Sequence, residues 1–126
     1  MRRLRLIWLM VIALMVVAIS SCGEKTKAEK IVKDFMKTNM EDADLSLVQY
    51  SRLDSTFHID TKAVNELRTR ANDIEGFRKN ISYTQEPTPK LLRIRVTYKK
   101  GKDKALHAQT FYLDEHAQGV VAFKNN

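Results

Sequence analysis

The chain predicts an α+β fold: two helices packed on a curved antiparallel sheet of three to five strands, preceded by a signal-peptide helix. Three observations carry this. Around residues 28–40 and 64–74, apolar residues recur every three or four positions, the period of a helix with one buried face. From Asn80 onward the period becomes two, the period of strands. The order helix, weak strand, helix, then three or four strands suits helices laid over one face of an antiparallel sheet.

The amino-terminal segment comes first. Arg2, Arg3 and Arg5 form a basic start, and Leu6 to Ile19 is an apolar run of 14 residues without a charge, the layout of an export signal. A spanning helix needs about 20 apolar residues, so a cleaved leader is favoured over an uncleaved signal anchor. A core helix is disfavoured, since it would show a polar stripe. The run closes on Ile19-Ser20-Ser21-Cys22, with the only cysteine of the chain. This resembles the lipobox of bacterial lipoproteins. The resemblance implies a diacylglyceryl group on the Cys22 thiol, cleavage just before it, and a fatty acyl group such as palmitate on the new amino terminus. It also implies anchoring in the cell membrane or outer membrane, facing the periplasm or the cell surface. The expected organisation is signal peptide 1–21, lipid-attached tether 22–27 and a single domain 28–126.

Removing residues 1–21 leaves 105 residues, with 19 basic against 15 acidic side chains. The formal charge falls from +7 to +4, so the folded part is only mildly basic and nucleic acid is not an expected partner. That length suffices for one core. If Cys22 carries lipid, no thiol remains for a disulfide, a zinc site or a nucleophile.

In chain order, Gly23 to Lys27 reads as a polar tether, and Thr26 to Glu29 as a capping box. Ala28, Ile31, Val32, Phe35, Met36 and Met40 then share one helical face, while Lys30, Lys33, Asp34 and Lys37 face water. Packing on the sheet is favoured over lying on a membrane, because acids are mixed with the lysines and no Trp edges the face. Glu41 to Asp44 breaks the helix through short acidic side chains that compete for backbone groups. Leu45 to Ser51 and Leu53 to Ile59 read as an irregular first strand, with Leu53, Ser55, Phe57 and Ile59 on one face. Asp60 or Thr61 caps the second helix. Its seam is Val64, Leu67, Ala71 and Ile74, and Gly76 ends or bends it.

Ile81 and Tyr83 are expected to start a strand that Pro87 and Pro89 terminate. The clearest strand follows, with Leu92, Ile94, Val96 and Tyr98 facing one way and Arg93, Arg95, Thr97 and Lys99 the other. Lys100 to Lys104 forms a hairpin loop around Gly101. Ala105 to Leu113 returns, Asp114 to Gly119 turns, and Val120 to Lys124 closes the meander.

Several stretches, Val32-Lys33-Asp34-Phe35-Met36, Tyr50-Ser51-Arg52-Leu53-Asp54, Val96-Thr97-Tyr98 and Thr110-Phe111-Tyr112-Leu113-Asp114 among them, resemble small Bacteroidetes-type lipoproteins of unknown function. That likeness implies a cystatin-like or nuclear-transport-factor-two-like roll and brings no catalytic residue with it.

Chemistry-bearing motifs are sparse. His58, His107 and His116 fall in separate elements without metal-ligand spacing, and neither a phosphate loop nor a nucleophile elbow is present. No metal, cofactor or catalytic residue is expected. Tyr50, Asp54 and His58 are the best acid/base set, should they meet in a pocket of the roll; a structural role suits them better. Arg93, Arg95 and Lys99, continued by Lys100, Lys102 and Lys104, form a basic stripe that is either a solvated face or a contact for an anionic partner. The reading is a lipid-anchored, non-catalytic binding module, its partners the membrane through Cys22 and an anionic envelope polymer or protein. The alternative is a small pocket-containing roll that binds a ligand or acts as a hydrolase- or isomerase-type enzyme.

Overall fold

The computed structural model describes residues 23–42, 44–102 and 104–126. The leader and Cys22 lie outside the described residues. Helix α1 covers 23–39. It is followed by β1 (Leu45–Tyr50), β2 (Asp54–Thr56), α2 (Thr61–Ala71), β3 (Leu91–Lys100), β4 (His107–Leu113) and β5 (Val120–Asn125). All five strands join one antiparallel sheet in the order β1-β3-β4-β5, with β2 pairing β3 beside β1. No helix among the described residues is long and apolar enough to cross a membrane.

α1 buries the expected face. Ala28, Val32, Met36 and Met40 are buried with Leu92, Ile94, Val96, Tyr98, Phe111, Leu113 and Phe123. Three rings close around Phe123: Phe111 stacks on it at 5.3 Å, Phe35 meets it edge-on at 5.4 Å and Phe77 lies 4.7 Å away. Aromatic pairs at such separations add to the burial of their area. The helix is already formed at residue 23. Residues 23–27, expected as a tether, are therefore exposed helix, and Thr26 lies within a turn instead of capping one. At the other end the acidic break works as expected, since the Asp44 amide donates to the Asp42 carboxylate at 3.0 Å, an Asx turn that replaces the helical bond.

α2 begins at Asp60, whose carboxylate accepts from the Ala63 amide at 2.8 Å. Its placement corrects the expectation that both helices share one face. α2 runs along β5, and Val64 and Leu67 pack on Leu91, Tyr112, Val121 and Ala122. Leu91, Tyr112 and Ala122 alternate with the α1-facing residues, and a register shift in β5 leaves Val121 as an extra residue on their side, so this second cluster lies on the opposite side. Ala71 and Ile74 reach round to the α1 side. The helix stops at Ala71, five residues before Gly76, whose φ of +90° then serves the turn that brings Phe77 against Met40.

Residues 81–90 form no strand. Ile81, Tyr83 and Gln85 are half-buried while Ser82, Thr84 and Glu86 are exposed. The period of two is thus real, but it reflects an extended crossover over the core without ladder bonds. The Arg68 guanidinium fastens it, donating to the Gln85 carbonyl at 2.9 Å and the Val121 carbonyl at 2.8 Å while lying 4.6 Å from the Tyr83 ring centre. β2 is only three residues long and Phe57 is exposed, so the expected face of Leu53, Ser55, Phe57 and Ile59 does not form.

Candidate functional site

The expected alternation of β3 holds: Leu92, Ile94, Val96 and Tyr98 are buried and Arg93 and Arg95 are exposed. Pairing then builds two rows across the outer face. Asp54, Arg93, Tyr112 and Ala122 are successive partners in one row, and Arg95, Thr110 and Lys124 in the next. Adjacent strands are about 4.8 Å apart, so Arg95 and Lys124 stand roughly 10 Å apart across Thr110. Together with Ser51, Arg52 and Asn126, the residues of these rows other than Ala122 line a cavity of about 360 Å³. Four cationic side chains meet there against one acidic side chain, Asp54.

The polar groups of the cavity are partly committed. Asp54 accepts from the Arg93 guanidinium at 2.7 Å and from the Ser55 amide at 2.8 Å. These bonds, the Arg93 one first, hold its carboxyl below the usual carboxylate range. The Ser51 hydroxyl accepts from the Arg95 amide at 2.8 Å, which seals the gap between β1 and β2. The Thr110 hydroxyl donates to the Asn126 side-chain oxygen at 3.0 Å. Arg52, Arg95 and Lys124 make no ion pair among the described residues.

The expected basic stripe divides at this point. Arg93 and Arg95 reach the cavity, whereas Lys99 shares their face four residues farther along β3, roughly 13 Å at the strand rise. That exceeds the Debye length of about 8 Å at physiological ionic strength. Lys100 turns to the other side, where a Cβ on Gly76 would meet its Nζ at 2.7 Å. Lys102 and Lys104 are exposed on the loop. Arg52 and Lys124 take the places of these lysines in the cluster. Neither is marked locally in the sequence, because each arrives through strand pairing.

The acid/base set does not assemble. Asp54 is in the outer cavity, Tyr50 lines a groove on the α1 side, and His58 is exposed outside both. Burial, aided by the nearby Glu29 carboxylate, raises the Tyr50 phenol above its ordinary value. No group of three His, Cys, Asp or Glu among the described residues is arranged to hold a metal ion. Comparison of the chain with protein families, curated proteins and solved structures returned no match.

Proposed function

We propose that this is a lipid-anchored, non-catalytic envelope protein of the small-lipoprotein kind, whose outer sheet face binds an anionic envelope polymer or the acidic surface of an envelope protein. The observation that carries the binding reading is the convergence of Arg52, Arg93, Arg95 and Lys124 around one shallow cavity. An enzymatic reading has less support, because Asp54 is exposed and held ionised by Arg93 and His58 lies elsewhere. Lipid attachment rests on the lipobox at Ile19 to Cys22.

Anchoring has an orientation consequence. The amino-terminal end of α1 sits by the β4–β5 turn, where the Lys27 ammonium donates to the His116 carbonyl at 3.1 Å. The chain just beyond its other end meets the β3–β4 loop, where the Gly101 amide donates to the Asp44 carbonyl at 2.8 Å. Seventeen helical residues span about 25 Å. The loop lysines therefore stand far from a bilayer holding Cys22, which is a further reason to assign recognition to the cavity.

Two measurements test the proposal. Cys22→Ser should abolish metabolic labelling by a fatty-acid analogue and release the chain from membranes, since stable anchoring needs more than one buried acyl chain; labelling that survives the change would refute lipidation at Cys22. For the face, the full chain on phosphatidylcholine vesicles is titrated with a fluorescent anionic polysaccharide at low and physiological salt. At about 1 kcal/mol per basic residue near an anionic surface, the joint change Arg93→Glu, Arg95→Glu and Lys124→Glu should weaken binding at least about a hundredfold at low salt. Reversing Lys99, Lys102 and Lys104 should do much less. Binding that is absent in the parent, or equally reduced in both triple variants, rules the cavity out.

A further inference from the structure

A second cavity, of about 670 Å³, lies between α1 and β1 on the other side of the sheet, lined by Thr26, Glu29, Lys30, Lys33, Met36, Lys37, Leu45, Val48 and Tyr50. From this groove we infer a binding site for a single-chain anionic amphiphile of the fatty-acid class. Met36, Leu45, Val48 and the Tyr50 ring supply an apolar lining, and the volume falls in the usual range of ligand pockets, about 300–1,000 Å³. The wall of α1 adds Lys30, Lys33 and Lys37, which make no ion pair among the described residues. An apolar trough with one cationic rim complements a hydrocarbon chain that carries one negative end.

Length supports one chain as the occupant. From Thr26 to Lys37 is eleven residues of helix, roughly 16 Å at 1.5 Å each. A lipid chain spans half the hydrocarbon core, about 15 Å, so the groove takes one chain lengthwise. Glu29 carries a negative charge at the Thr26 end, which places an anionic head toward Lys33 and Lys37.

The alternative occupant of an edge groove is a peptide strand added to β1, and β1 is built against that. Its pairing with β3 shifts between Ser46 and Gln49, and Leu47 within the shift has φ of +54°. A left-handed leucine is strained backbone, and a bulge interrupts the regular row of donors and acceptors that an incoming strand needs. The same bulge sets Val48 in the groove lining and leaves Leu47 66% exposed. A hydrocarbon chain needs no ladder, so the interruption costs it nothing.

The test uses the full chain on phosphatidylcholine vesicles with trace amounts of a photoactivatable diazirine fatty acid. Cross-linked residues are located by peptide mass spectrometry. Labelling should concentrate on the peptides holding Met36 and Val48. Val48→Trp, which fills the groove at a partly exposed position, should reduce it at least fivefold with the thermal melt preserved. Joint reversal of Lys30, Lys33 and Lys37 to Glu should reduce labelling by the acid at least fivefold while sparing the matching neutral alcohol. Reversal of Arg95 and Lys124 on the outer face should leave it unchanged, which separates this site from the anion-binding cavity. Labelling spread evenly onto α2 peptides, insensitivity to Val48→Trp, or preference for a two-chain diazirine phospholipid would each overturn the inference.

Discussion

At the scale of single residues, Asp54 is the gate of the outer cavity. It neutralises one of the four cations there through the 2.7 Å contact to Arg93, so an incoming anion must compete with a charge already in place. Asp54→Asn keeps the shape and removes the competitor. Anion affinity at neutral pH should rise several-fold in the polysaccharide titration. The pH dependence follows from the lowered carboxyl value. The Asp54–Arg93 pair is complete above the ordinary carboxylate range and is lost only as pH falls through the depressed value. Affinity of the parent should therefore stay flat from neutral to mildly acid pH and climb only below the usual carboxylate range, while Asp54→Asn shows no such climb. Identical profiles for the two would mean that Asp54 does not guard the site.

At the scale of elements, β3 organises the molecule, because it pairs with β1, β2 and β4 and separates the α1 core from the cationic face. Ile94 is fully buried between these layers, and truncation to Ala should cost about 2–5 kcal/mol through lost burial and a residual cavity. Arg95, its exposed neighbour, should change stability by no more than about 0.5 kcal/mol on replacement by Ala. Denaturant melts compare the two, and equal losses would contradict the alternation. This strand was legible in the sequence because its pattern is local and uninterrupted, and the buried face of α1 was legible for the same reason. Ile81 and Tyr83 show the limit of that signal: period two reports which side chains turn inward, not whether the backbone finds a neighbouring strand. The outer site was half legible. Arg93 and Arg95 lie on one readable strand, but Arg52 reaches them through the pairing of Asp54 with Arg93, 39 residues away, and Lys124 through two successive pairings, Arg95 with Thr110 and Thr110 with Lys124, which no local spacing records. The position of α2 was hidden similarly, since its seam tells what it buries and not on which side of the sheet.

At the scale of the whole molecule, Tyr83 ties the layers together. Its ring stacks on Phe35 of α1 at 6.0 Å and lies under Arg68 of α2, which also holds β5 and the crossover. Its hydroxyl is buried without a hydrogen-bond partner among the described residues. Burial pushes this phenol up to about 12, only partly opposed by the Arg68 charge, and burial also raises Tyr50 and Tyr98. An unfolded tyrosine titrates near pH 10, at about its reference value. Between that pH and the higher folded value, the unfolded chain releases protons that the folded chain retains. Folding stability attached to these groups is thus complete below pH 10 and lost as pH rises toward 12. The midpoint of urea unfolding should hold steady to about pH 9.5 and then fall. Tyr83→Phe isolates the tyrosine part. It keeps the ring contacts and removes the unpartnered hydroxyl, so it should be at least as stable as the parent at neutral pH and lose less stability per pH unit above 10. Parallel declines in the two proteins would show that Tyr83 ionises as freely in the folded state as in the unfolded one, and that the layers can separate around it.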